Sequence, residues 1–246
     1  MLATTDLTWG VGGFTILSDI TFSAGEGEFV SVIGPNGAGK TSFLNVLSGI
    51  NVARRGRVEL DGRDITALRP ADRVRLGLGR TFQTSSLFTM LTVLENARLA
   101  AQSHLGGSAS LWTRPRARDE ATAMAIDAVS AVGLADRAGT VVADLSHGDK
   151  RKLELALLAC GRPRVVLLDE PTAGVSVEEV APLMAVVSDM HAAGRTVVMV
   201  EHRMEVVMEI SDRIVVLHNG RVLTQGTPDE VMADERVQSA YTGAAA

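Results

Sequence analysis

Three short stretches carry residue types whose spacing suits them for chemistry. In EFVSVIGPNGAGKTSFL, Gly34 is followed after four residues by Gly39, Lys40 and Thr41, with an apolar run before and a helical pattern after. Glycines there let the backbone curl until successive N–H groups point at one phosphate, and Lys40 adds a cation for the β- and γ-phosphates. The Thr41 hydroxyl is suited to magnesium. The stretch assigned to the nucleotide phosphates is therefore Gly34, Pro35, Asn36, Gly37, Ala38, Gly39, Lys40, Thr41 and Ser42. In RVVLLDEPTAG, an apolar run delivers Asp169 and Glu170 at the C-terminal end of a buried strand, where ligands collect in open sheets. Asp169 is placed to hold magnesium directly or through water, and Glu170 to take a proton from an attacking water or to orient it. The third stretch, LSHGDKRK at residues 145–152, sets Ser146, His147 and Gly148 just before a helical pattern, with three cations behind. That composition prepares a helix N-terminus for an anion, yet no phosphate-binding strand lies directly upstream of it. The simplest role of Lys150, Arg151 and Lys152 is a solvated helix face.

Positioning such groups requires strands that end together. The first third of the chain alternates short apolar runs with turns, at Leu17 to Phe22, Glu28 to Ile33 and Arg57 to Asp61, interrupted by one helix from Lys40 to about Gly49. From Thr92 to Ala159 the spacing turns helical, with Leu94, Ala97, Arg98 and Ala101 at intervals of three and four and an alanine-rich run from Ala121 to Val132. A Gly/Ser-containing loop with an isolated Trp112 lies between them, from His104 to Pro115. After Arg164 the runs VVLLD, TVVMV and RIVVL return as buried strands separated by helices, which indicates a mainly parallel sheet. Ser176 and Glu179 have the spacing of a capping box. Pro182, six residues after Ser176, predicts a kink in the second turn or a later helix start.

Composition bounds the function. With 246 residues and 46% hydrophobic content the chain can bury a sizeable core. No apolar run approaches the ~20 residues a bilayer-spanning helix needs. MLATTDLTWG shows no secretory pattern, so the cytoplasm is the expected compartment. The formal charge of −5 argues against a nucleic-acid surface. The single cysteine, Cys160, falls on an apolar helical face and is expected to be packing.

The glycine loop and the Asp169–Glu170 pair, in this order and separation, resemble the ATP-binding subunits of ABC transporters over nearly the whole chain. The resemblance implies an α/β fold: a phosphate-loop NTPase core of the ABC ATPase type, with an N-terminal antiparallel β part and an inserted helical subdomain. One ABC ATP-binding domain then spans 1–246, with the nucleotide-binding core at 1–83 and 151–246 and the helical subdomain at 84–150. Gln83, in RTFQ, looks like the glutamine that senses magnesium and the γ-phosphate. His202, in VMVEHRM, looks like the switch histidine that contacts the γ-phosphate. Ala173 to Ser176 fall where the family places its subunit-contact loop. LSHGD resembles the signature motif, usually LSGGQ, which implies that Ser146 and Gly148 meet the γ-phosphate bound by the other subunit of a head-to-tail dimer. His147 replaces a glycine and Asp149 a glutamine, which places a negative charge near a site for a polyanion. Val11 stands where the family stacks an aromatic ring on adenine, leaving Trp9 or Phe14 as substitutes.

RTFQTSSLFTMLTVLENARLA and EHRMEVVMEISDRIVVLHNGRVLTQGTPDEV resemble the ATPases of branched-chain amino-acid importers and their urea or amide relatives. The resemblance implies ATP and Mg2+ as cofactors, and hydrolysis to ADP and phosphate coupled to transport. It implies transmembrane permease subunits as partners, a homodimer or a heterodimer with a second ABC ATPase, a substrate-binding protein indirectly, and a peripheral place on the inner face of the cell membrane. The alternatives are an ATP-gated binding subunit with little turnover and a soluble ABC ATPase outside transport.

Overall fold

A computed structural model of the chain describes residues 2–81, 87–105 and 120–242. In chain order the elements are β1 (Leu2–Val11), β2 (Phe14–Ala24), β3 (Phe29–Ile33), α1 (Lys40–Leu47), β4 (Arg55–Leu60), β5 (Arg63–Asp64), α2 (Pro70–Arg75), β6 (Leu78–Arg80), α3 (Val93–Leu105) and α4 (Glu120–Ala131). They continue as α5 (His147–Cys160), β7 (Val165–Asp169), α6 (Val177–Ala192), β8 (Thr196–Val200), α7 (Met204–Ile210), β9 (Arg213–His218), β10 (Arg221–Gly226), α8 (Pro228–Ala233) and α9 (Glu235–Thr242). They fall into two compact units, one of residues 2–80, 164–171 and 191–242, the other of residues 81–163 and 172–190 as far as they are described.

The first unit holds two sheets, an antiparallel one ordered β2-β1-β4-β5 and a six-stranded one ordered β10-β9-β3-β8-β7-β6. In the second sheet β3, β8, β7, β6 and β9 run parallel and β10 is the antiparallel edge. FVSVI, VVLLD and TVVMV are buried at every residue, as central parallel strands covered on both faces must be. Register aligns their C-terminal ends: Asp169 of β7 lies beside Val200 of β8, and Val32 of β3 lies beside the same Val200. Three loops therefore leave the sheet at one level, after Ile33, after Asp169 and after Val200. The helix that follows the first loop, α1, is fixed by the fully buried Phe43, whose ring meets Phe22 of β2 edge to face at 5.3 Å. Burying one such ring contributes about 1.5–3 kcal/mol.

The far end of α1 is held by Arg73, a fully buried residue the sequence did not flag. Its guanidinium donates to the Val46 and Leu47 carbonyls, both at 2.7 Å, and to the Thr66 and Leu68 carbonyls at 2.9 and 3.1 Å. Four carbonyls satisfy the fork, two of them the last acceptors of α1, where a cation also complements the helix dipole. Burial pulls its pKa down to about 10, against the attraction of Asp64.

In the second unit α3, α4 and α5 pack together through small buried residues, among them Ala97, Ala101, Ala125 and Ala156. Thr92 and Glu95 start α3 with reciprocal side-chain to backbone bonds, a capping box. The box expected at Ser176 forms by half: the Glu179 carboxylate accepts from the Ser176 amide, but the Ser176 hydroxyl does not take the Glu179 amide. Ser176 Oγ donates to Glu179 Oε2 at 3.1 Å, and the Glu179 amide goes to the Ser176 carbonyl. The later start expected for α6 does not occur either. The helix begins at Val177 and runs unbroken past Pro182, since a proline six residues in removes only one bond near the helix start.

Candidate nucleotide site

Gly34 leaves β3 with φ +150, and a Cβ there would sit 2.0 Å from the Leu217 carbonyl, so the strand can turn into the loop only at glycine. Gly39 precedes α1 in the left-handed region, with φ 100. No side chain caps this helix and its first turn holds no acid, so its leading N–H groups are left to an incoming anion. Lys40, 6% exposed, donates to the Gly34 carbonyl at 2.7 Å and the Pro35 carbonyl at 3.1 Å. Burial lowers its pKa, opposed by the charges of Glu170 and Asp169. Both acids thus act electrostatically on the ammonium that the loop cradles.

Asp169 ends β7 in a buried ion pair with Arg80 of β6, at 2.8 Å with side chains 1% and 6% exposed. Burial pushes the Asp169 carboxyl up, opposed by Arg80, and pushes the guanidinium down, opposed by Asp169. A guanidinium does not deprotonate in proteins, so Arg80 keeps a buried positive charge against the Asp169 carboxyl. The other fork of Arg80 donates to Ser48 Oγ at 2.7 Å. Thr41 also hydrogen-bonds the Asp169 side chain. A hydroxyl from the glycine loop and a carboxylate from β7 thus converge, and two oxygen donors fit a magnesium ion that takes its remaining ligands from phosphate and water.

Glu170 follows with φ +48, a left-handed backbone whose strain is on the order of 1–3 kcal/mol for a side chain of this size. Its amide is tied to the Val200 carbonyl at 2.9 Å, and its Oε1 lies 2.8 Å from His202 Nε2. His202 is aimed by its neighbour. The buried Glu201 carboxylate accepts from the His202 and Arg203 amides at 2.8 and 3.2 Å and fixes the turn after β8. Arg80 and Glu201 both lie in motifs that the sequence singled out for Gln83 and His202, and nothing in the spacing distinguished them. Gln83 itself lies outside the described residues, as does Trp112.

The β1–β2 hairpin carries the residues considered for the base. Val11 and Phe14 are paired directly across it, Val11 58% and Phe14 81% exposed, whereas Trp9 is packed on the core.

In the second unit, Ser146 caps α5 by accepting from the Asp149 amide at 3.0 Å. Ser146 Oγ in turn donates to Glu179 Oε1 at 2.8 Å, and the Gly148 amide donates to the same carboxylate. The hydrogen bond from Ser146, opposed by desolvation and helped by those from Ser176 and Gly148, holds the Glu179 carboxyl below the usual range. The Asp149 charge has its own partner, Arg137 at 3.5 Å. Of the three following cations, Lys150 reaches the Ala143 carbonyl at 3.2 Å, and Arg151 pairs with Glu154 at 2.8 Å with side chains 15% and 11% exposed. Arg151 is therefore not on the solvated face expected of it, because its acid is one turn further along the helix. Cys160 is 2% exposed beside the Ala97 carbonyl, and burial pushes its thiol up to about 11.

The family described as ABC transporter matches residues 17–173, and the one described as branched-chain amino acid ATP-binding cassette transporter matches residues 221–246. The chain is 36% identical, over its full length and 98% of the relative, to the high-affinity branched-chain amino acid transport ATP-binding protein BraF of Pseudomonas aeruginosa. It is 31% identical, over 93% of itself and 91% of the relative, to the lipopolysaccharide export system ATP-binding protein LptB of Haemophilus influenzae. Among solved structures it resembles the ADP conformation of an ABC transporter's ATP-binding cassette at TM-score 0.88 and 28% identity, covering 99% of this chain and 98% of that one.

Proposed function

This chain belongs to the ABC transporter family of ATP-binding proteins, and we propose that it is the ATPase of an importer for branched-chain amino acids or related small polar solutes such as urea and amides. The observation that carries the mechanism is the convergence of Lys40, Asp169 and Glu170 where the loops after β3 and β7 leave the sheet. The import assignment rests on the full-length similarity to BraF and on the match at residues 221–246. LptB, a relative named for lipopolysaccharide export, is only slightly more distant, so the cargo is chosen by other subunits rather than by this fold. In this reading the chain sits on the inner face of the cell membrane against permease subunits and pairs with an identical chain or a related ATPase.

The open N-terminus of α1 and the Gly34–Ser42 loop bind the triphosphate, with Lys40 exchanging its loop carbonyls for β- and γ-phosphate oxygens. Thr41 and Asp169, with Gln83, would hold Mg2+, which supplies charge neutralisation on those oxygens. Arg80 positions Asp169 by holding Oδ2. Glu170 orients the attacking water or accepts its proton, while His202 holds Oε1 of that carboxylate and stands ready for the γ-phosphate. Ser146 and Gly148 act on the nucleotide of the neighbouring subunit. Phe14, cross-strand to Val11, is the ring best placed to stack on adenine in place of the missing aromatic, since residues opposite each other in a hairpin share a face. The alternative of a clamp with little turnover rests on the altered signature, His147 together with Asp149, and Arg137 offsets the charge part of it.

The test is to purify the chain with its membrane partners, identify them, and measure ATP hydrolysis and solute uptake in vesicles. Uptake of a branched-chain amino acid or amide that stops with Glu170→Gln supports the assignment; partners of an export system, or hydrolysis independent of any permease, would overturn it.

A further inference from the structure

Two of the groups that the sequence assigns to a phosphate, the Ser146 hydroxyl and the Gly148 amide, already hold an anion that belongs to the chain itself. The Glu179 carboxylate accepts from both, and its second oxygen accepts from Ser176. The fit is close enough that a Cβ on Gly148 would lie 2.6 Å from Glu179 Cδ. A phosphate oxygen cannot reach the Gly148 amide while that carboxylate is there, because the amide has one hydrogen to give and the space is filled. Glu178, adjacent in sequence and exposed, makes no such contact among the described residues. The arrangement is therefore position-specific, and not a general acidity of the first turn of α6.

We propose that Glu179 is the resting occupant of the α5 N-terminus, a built-in competitor that a γ-phosphate from the second nucleotide-binding subunit must displace, so that Glu179 sets the ATP concentration at which two cassettes close. This inference rests on the reading that Ser146 and Gly148 serve a neighbour's nucleotide. It adds an exchange of anions. In the open state Glu179 keeps the α5 dipole compensated and the Ser146 hydroxyl oriented, and on closure the more highly charged phosphate takes its place. The gain on closure is reduced by the contacts the carboxylate gives up, which keeps cassettes apart at low ATP.

The experiment measures association of the full-length chain, with any ATPase subunit that copurifies, driven by a non-hydrolysable ATP analogue and followed by light scattering. Glu179→Ala and the isosteric Glu179→Gln should lower the analogue concentration for half-maximal association, by roughly three- to thirtyfold when two such helix ends meet phosphate in one dimer. Glu178→Gln should match wild type. In the nucleotide-free chain, Glu179→Ala should also speed hydrogen exchange at the Gly148 amide. Wild-type association and wild-type Gly148 exchange in both Glu179 variants would overturn the proposal, as would an equal effect of Glu178→Gln. Ser146→Arg separates this failure from that of the underlying reading. If Ser146→Arg blocks association while the Glu179 variants behave as wild type, the competitor role falls and the cross-subunit reading stands. If Ser146→Arg associates normally, both fall.

Discussion

The N-termini of α1 and α5 are both suited to anions, and the chain finishes them in opposite ways. At α1 the cap is Gly39, the first turn has no acid, and the nearest cation, Lys40, rests on loop carbonyls that a phosphate can replace. The other end of the same helix is closed by buried Arg73. At α5 the cap is Ser146, whose hydroxyl serves the Asp149 amide and the Glu179 carboxylate together. The difference teaches that a helix N-terminus becomes a ligand site through what is withheld from it. The open end binds by filling orphan donors, whereas the satisfied end binds only by exchange.

The largest effect expected from this contrast is on turnover. Glu170→Gln should reduce hydrolysis by ~100- to 10,000-fold while leaving ATP binding intact, since it removes only the group next to the attacking water. Lys40→Ala should weaken ATP binding itself, and Ser146→Arg should spare binding in the isolated chain yet stop hydrolysis. If two identical chains form the functional dimer, mixing Lys40→Ala with Ser146→Arg chains restores one intact composite site, and activity should return in the mixture. ATP binding lost in isolated Ser146→Arg would place both helix ends on one nucleotide and erase the contrast.

The next effect is on stability. Arg73→Ala takes a donor from four carbonyls, of which Val46 keeps the Gly49 amide, and should cost about 3–5 kcal/mol in a denaturant titration, since each buried acceptor left unsatisfied costs about 1–3 kcal/mol. A loss below ~1 kcal/mol would mean that water replaces the guanidinium and that the closed end of α1 is not what holds the helix.

Base recognition comes third. Stacking on an aromatic ring is worth about 1–3 kcal/mol, so Phe14→Ala should weaken ATP binding by that amount and bring ATP and GTP closer in affinity, with Trp9→Ala affecting stability more than binding. Unchanged nucleotide preference in Phe14→Ala would return the base to a site away from the hairpin. The smallest effect is the cap itself. Ser146→Ala should cost about 1 kcal/mol of stability, whereas Gly39→Ala, forced into the left-handed region and into contact with Leu17, should cost more despite removing no cap.

What the sequence determined by itself are the features that local chemistry dictates. Gly34 to Thr41 between an apolar run and a helix, five-residue apolar strands ending in Asp169 or before His202, and Ser146 ahead of α5 are all set by neighbours within a few residues, because turn, strand and cap preferences are local. Tertiary structure alone decided which groups meet across long separations. Arg80 finds Asp169 from 89 residues away, Arg73 finds Val46 from 27, and Ser146 finds Glu179 from 33. Glu179 could be read from sequence only as the partner of Ser176, three residues before it. A carboxylate's local spacing says where it can cap, but the anion site it finally fills depends on which helix the fold brings within hydrogen-bonding distance.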